Sequence, residues 1–70
     1  MDDVMLFYNN RLGLLKAEKI TVNPGSDLIS AHGINSDGRP VVWTFRSEDA
    51  REFGDACIVD GHIAVKGKSE

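Results

Sequence analysis

The chain has 70 residues, 41% of them hydrophobic and 27% charged, with a net charge of −3 and one cysteine. This is the composition of a folded globule with room for one α+β domain, residues 1–70. It excludes an internal disulfide framework, a bilayer-spanning helix of about 20 apolar residues and a basic stripe of the kind that neutralises phosphates.

"VMLFY", residues 4–8, is rich in β-formers and predicts a first strand. It is too short for a secretory core and no Lys or Arg precedes it, so export is not expected. "NNRLG", residues 9–13, supplies turn chemistry through Asn and Gly, which tolerate positive φ.

"GLLKAEKITV", residues 13–22, is ambiguous. Leu, Lys, Ala and Glu favour a helix by propensity, but the apolar positions make a poor helical stripe and the segment ends in β-branched residues. A strand is predicted, bulged near Gly13, with a helix as the alternative. Pro24-Gly25 then fits the central positions of a type II turn.

"LISAHGI", residues 28–34, predicts a third strand, and "NSDG", residues 35–38, a hairpin. After Pro40, Val41, Trp43 and Phe45 share one face and Val42, Thr44 and Arg46 the other. A two- or four-residue loop would place Leu28, Ser30, His32 and Ile34 on the Trp43 face, which is the predicted core.

Ser47 suits a helix N-cap, with Glu48 and Asp49 favourable in the first turn. Ala50, Phe53 and Cys57 recur at helical spacing and predict a helix packed on the sheet over Trp43. "VDG", residues 59–61, ends it. "HIAVK", residues 62–66, predicts a last strand with Ile63 and Val65 inward, and residues 67–70 a solvated tail.

The predicted order is therefore β-β-β-β-α-β, a mostly antiparallel sheet of about five strands with one helix on it. The alternatives are an SH3-like small barrel and β-α-β-β-α-β. A domain this small has a marginal core, so a second subunit, paired through a sheet edge as a homodimer, or another bound partner is expected.

Several chemistries can be weighed from residue types. His32, Cys57 and His62, with Asp60 as a fourth ligand, lack any zinc-knuckle spacing, so no metal and no cofactor are expected. Cys57 falls near the predicted helix C-terminus, where a thiolate is disfavoured, so thiol catalysis is not expected. The only helix start, "RSEDA", offers two carboxylates where a phosphate would sit, which argues against nucleotide binding. Phe7, Tyr8, Trp43, Phe45 and Phe53 are too few to make both a core and a base-stacking platform.

Glu48, Asp49, Glu52 and Asp55 line one exposed face of the predicted helix. They suit docking onto a protein partner with a basic surface, where charge complementarity speeds encounter and fixes register. The expectation is a non-enzymatic, cytoplasmic binding protein, for example a phage- or plasmid-encoded inhibitor of host nucleic-acid machinery. The alternative is a small nucleic-acid-associated module using Arg11, Lys16, Lys19, Arg39 and Arg46. Nucleic acid is the less favoured partner, and a membrane is not expected.

Overall fold

The computed structural model describes residues 4–67, and residues 68–70 of the predicted tail lie outside them. The described chain is nearly all β and contains no α-helix. Seven strands run β1 Met5–Asn9, β2 Gly13–Val22, β3 Leu28–Asn35, β4 Pro40–Arg46, β5 Ala50–Phe53, β6 Ala56–Val59 and β7 Ala64–Gly67. They form a single sheet of order β5-β6-β1-β2-β3-β4-β7, antiparallel throughout except for the parallel pair β1–β6.

Connectivity forces this sheet to curl. β4 and β5 stand five places apart in the order, about 24 Å in a flat sheet. Only Ser47–Asp49 joins them, and the four backbone steps from Arg46 to Ala50 reach at most about 14 Å. The link from β6 to β7, residues 60–63, imposes the same closure. Phe7 on β1 and Phe45 on β4 confirm it: their ring centroids are 5.7 Å apart although two strands separate them in the order. Among the described residues β5 and β7 are the two outer strands of the curled sheet, each paired on one side.

The inner face holds the core: Phe7, Leu15, Ala17, Ala31, Val41, Trp43, Phe45, Cys57 and Val59. Trp43 is at its centre, 1% exposed, and is enclosed by the curled sheet itself. The expected α+β architecture, with a helix packed over the indole, is thus corrected, and so is the alternative with two helices. Residues 47–57 make one 3-10 turn at Ser47–Asp49 and then a hairpin. The reason lies in Gly54, whose φ of +64° opens a two-residue turn with Asp55, a conformation that no helix interior tolerates. Ala50 and Cys57 do face the core, but by alternation along two strands, whereas Phe53 is 71% exposed.

Two parity changes decide the rest. In β2, Ala17 pairs with Gly33 and Lys19 with His32, which leaves Glu18 as a bulge. The extra residue switches which positions face inward. The inner set becomes Leu15, Ala17, Ile20 and Val22, all apolar, which is why neither side of an unbulged strand reads as clean. The bulge expected near Gly13 therefore lies further along. Gly33 packs so tightly here that an added Cβ would stand 1.9 Å from the Lys16 carbonyl oxygen.

In the β3–β4 hairpin, Asn35 pairs with Arg39 through N–H to O=C at 2.9 Å, so the loop is the three residues Ser36–Gly38, with Gly38 at φ +80°. A type I turn closed by a left-handed glycine has this form. An odd loop reverses the facing of the whole strand. Ile29, Ala31 and Gly33 therefore share the Trp43 face, and Leu28, Ser30, His32 and Ile34 point away from it, opposite to expectation. At the end of the chain, Ile63 packs on the core, while Val65, opposite Trp43, shares its face at the open β7 edge and stays exposed.

Candidate functional site

The acidic segment is an edge hairpin with its lead-in turn. From Arg46 to Asp60 it carries five carboxylates and two arginines, a net charge of −3, which is the charge of the entire chain; the remaining positions carry six acids and six bases. This segment supplies β5, one of the two outer strands of the sheet among the described residues.

The four carboxylates expected on one helix face are therefore distributed differently. Glu48 is exposed on the 3-10 turn, 3.9 Å from Arg46. Asp49, half-buried, accepts the Asp60 amide at 2.9 Å through its own carbonyl, and its carboxylate lies against Gly61. Asp55 sits in the tight turn between β5 and β6. Glu52 pairs across the hairpin with Cys57 and so is directed toward the inner face. Arg51 points the other way and binds Asp60 at 2.7 Å.

Glu52 opens onto a groove of about 220 Å³ at the mouth of the curled sheet. Its walls are Met5, Phe7, Ile20, Ile29, Phe45, Ala50 and Cys57. Burial pushes the Cys57 thiol above its ordinary 9.0, and the Glu52 carboxylate adds to the rise against a backbone hydrogen bond from Arg51. The thiol is consequently neutral near pH 7, and Glu52 is the one acidic side chain on the lining.

The other weighed residues are not brought together. His32 lies on the outer face, within 3.3 Å of the Thr21 hydroxyl, while Cys57 is inside and His62 is in the β6–β7 link. Among the described residues no group of three or more His, Cys, Asp or Glu could hold a metal ion. Arg11 and Arg39 mark the loop end of the central strands, Arg46 the opposite end, and Lys16 and Lys19 the outer face between. Among the described residues no helix is long and apolar enough to cross a membrane.

Sequence reasoning missed two features. Asn9 is buried; its amide donates to the Val59 carbonyl at 2.9 Å and its side-chain oxygen accepts the Arg11 and Leu12 amides. It acts through its side chain and not through positive φ, which among the described residues only glycines adopt. The groove was also missed, because Ile20 and Ile29 face it only after the bulge and the odd loop are known. No protein-family model, curated protein or solved structure matches this chain.

Proposed function

We propose that the chain is a non-enzymatic protein-binding module whose acidic edge hairpin covers a basic surface of a partner protein. The observation that carries this reading is the location of the charge: the whole net −3 falls within Arg46–Asp60, the segment that supplies β5, one of the two outer strands of the described sheet. An unpaired edge offers backbone donors and acceptors, and carboxylates beside it select cationic partners. One form of such a module is an inhibitor that occupies a groove built for phosphate, including one in host nucleic-acid machinery. The single, buried, unpaired Cys57 supports a reducing, cytoplasmic setting.

The test is partner recovery by the intact protein compared with a variant carrying Glu48→Lys, Glu52→Lys and Asp55→Lys. A second variant reverses charges outside the segment, at Glu18 and Asp37. The first is expected to lose the partner and the second to keep it. Equal recovery by both, or binding of a duplex or single-stranded probe at low salt, would contradict the proposal.

A further inference from the structure

The groove at the mouth of the sheet narrows the partner's chemistry. At about 220 Å³ it is smaller than a pocket for a drug-sized ligand, which takes about 300–1,000 Å³, and is of the scale of a single side chain. Met5 and Ile20 on its walls remain exposed, so apolar surface is left in water at the opening. Glu52 stands beside them. Glu48 and Asp60 each lie by an arginine, but Glu52 makes no ion pair among the described residues. An occupant must therefore bring a long apolar stem and one positive charge. Arginine has one methylene fewer for the apolar walls and a broader, planar head. Lysine carries a compact charge on four methylenes and places stem and head in different surroundings.

We infer that this groove takes a lysine side chain of the partner, its methylenes against Met5, Ile20 and Ile29 and its ammonium at Glu52. The inference rests on the acidic-edge reading and deepens it. The competing role for Glu52 is that of an inward-pointing charge that discourages edge-to-edge pairing of copies. The two roles respond differently to substitution.

The experiment records methyl NMR spectra of the full chain during titration with acetyl-Ala-Lys-Ala-amide, and with the same tripeptide carrying norleucine in place of lysine. The lysine peptide is expected to move the methyl signals of Met5, Ile20 and Ile29. The norleucine peptide, or the lysine peptide on Glu52→Gln, is expected to bind about two- to fivefold more weakly, the range for an exposed ion pair. Absence of shifts at these methyls overturns the inference. So does equal affinity for the two peptides, or Glu52→Gln that retains affinity and instead self-associates by mass. Because the probe lacks the partner's surface, the two readings fail separately. A silent peptide with partner capture still lost in Glu48→Lys and Asp55→Lys removes the groove alone; peptide binding with capture indifferent to those changes removes the edge alone.

Discussion

The central meander β2–β3–β4 and the edge hairpin β5–β6 divide stability and charge between them. The meander has strands of ten, eight and seven residues and buries Leu15, Ala17, Ala31, Val41, Trp43 and Phe45. The hairpin has two strands of four residues, buries only Cys57 and Val59, and together with its lead-in turn and the following Asp60 carries the net charge. Long strands with a closely packed inner face hold one register, because slipping by one residue would turn every buried group to solvent. The short edge hairpin is held by few contacts, which leaves its polar groups available to a partner. Local stability should follow the same division.

The comparison breaks most sharply at Gly33. Its neighbour is a backbone carbonyl that cannot move aside, so Gly33→Ala is expected to cost more than about 4 kcal/mol. A chain of this size has roughly 4–10 kcal/mol in total, so urea unfolding followed by Trp43 fluorescence should find it largely unfolded. A native-like transition would mean that β2 and β3 are not in this register.

Asn9 joins the first turn to the hairpin. Asn9→Ala removes the donor to Val59 and the acceptor for two amides, and is expected to cost about 2 kcal/mol in the same assay. A loss below about 0.5 kcal/mol, the level of an ordinary surface change, would deny that link.

A smaller effect comes from Cys57. Its thiol pKa is raised in the folded state, so the folded chain holds that proton more tightly than the unfolded one. The resulting stability is present below the unfolded value and is lost as pH climbs through 9.0 toward the folded value. Melting temperatures compared between wild type and Cys57→Ala should therefore converge at alkaline pH; parallel curves would contradict the burial of the thiol beside Glu52.

Phe53 should matter least. Phe53→Ala is expected to change stability by no more than about 0.5 kcal/mol, whereas an aromatic buried under a helix would cost about 3–5 kcal/mol.

Much of the meander was legible in the sequence because its signals are local. Pro24-Gly25 does form the turn, with Gly25 at φ +83° and the Ser26 amide donating to the Asn23 carbonyl. Val41, Trp43 and Phe45 alternate inward as their spacing implies. What could not be read there was parity. One bulged residue at Glu18 and one loop residue more than two each reverse a strand's facing, and neither has a strong sequence mark. The edge hairpin was misassigned because Ala50, Phe53 and Cys57 fit a helical period by coincidence. The informative residue was Gly54, which disfavours a helix and suits a tight turn. Four acids near one another were legible as a charge concentration, but the groove that makes Glu52 distinctive depends on tertiary curl.

The account depends on residues 50–59 being a two-stranded edge with β6 seated parallel to β1. Backbone NOE measurements on the labelled full chain test this directly. Cross-strand contacts linking Arg51 with Ile58, together with contacts linking Leu6 with Ala56, are the expected result. Continuous amide–amide contacts from Glu48 to Cys57, the signature of a helix, would contradict it.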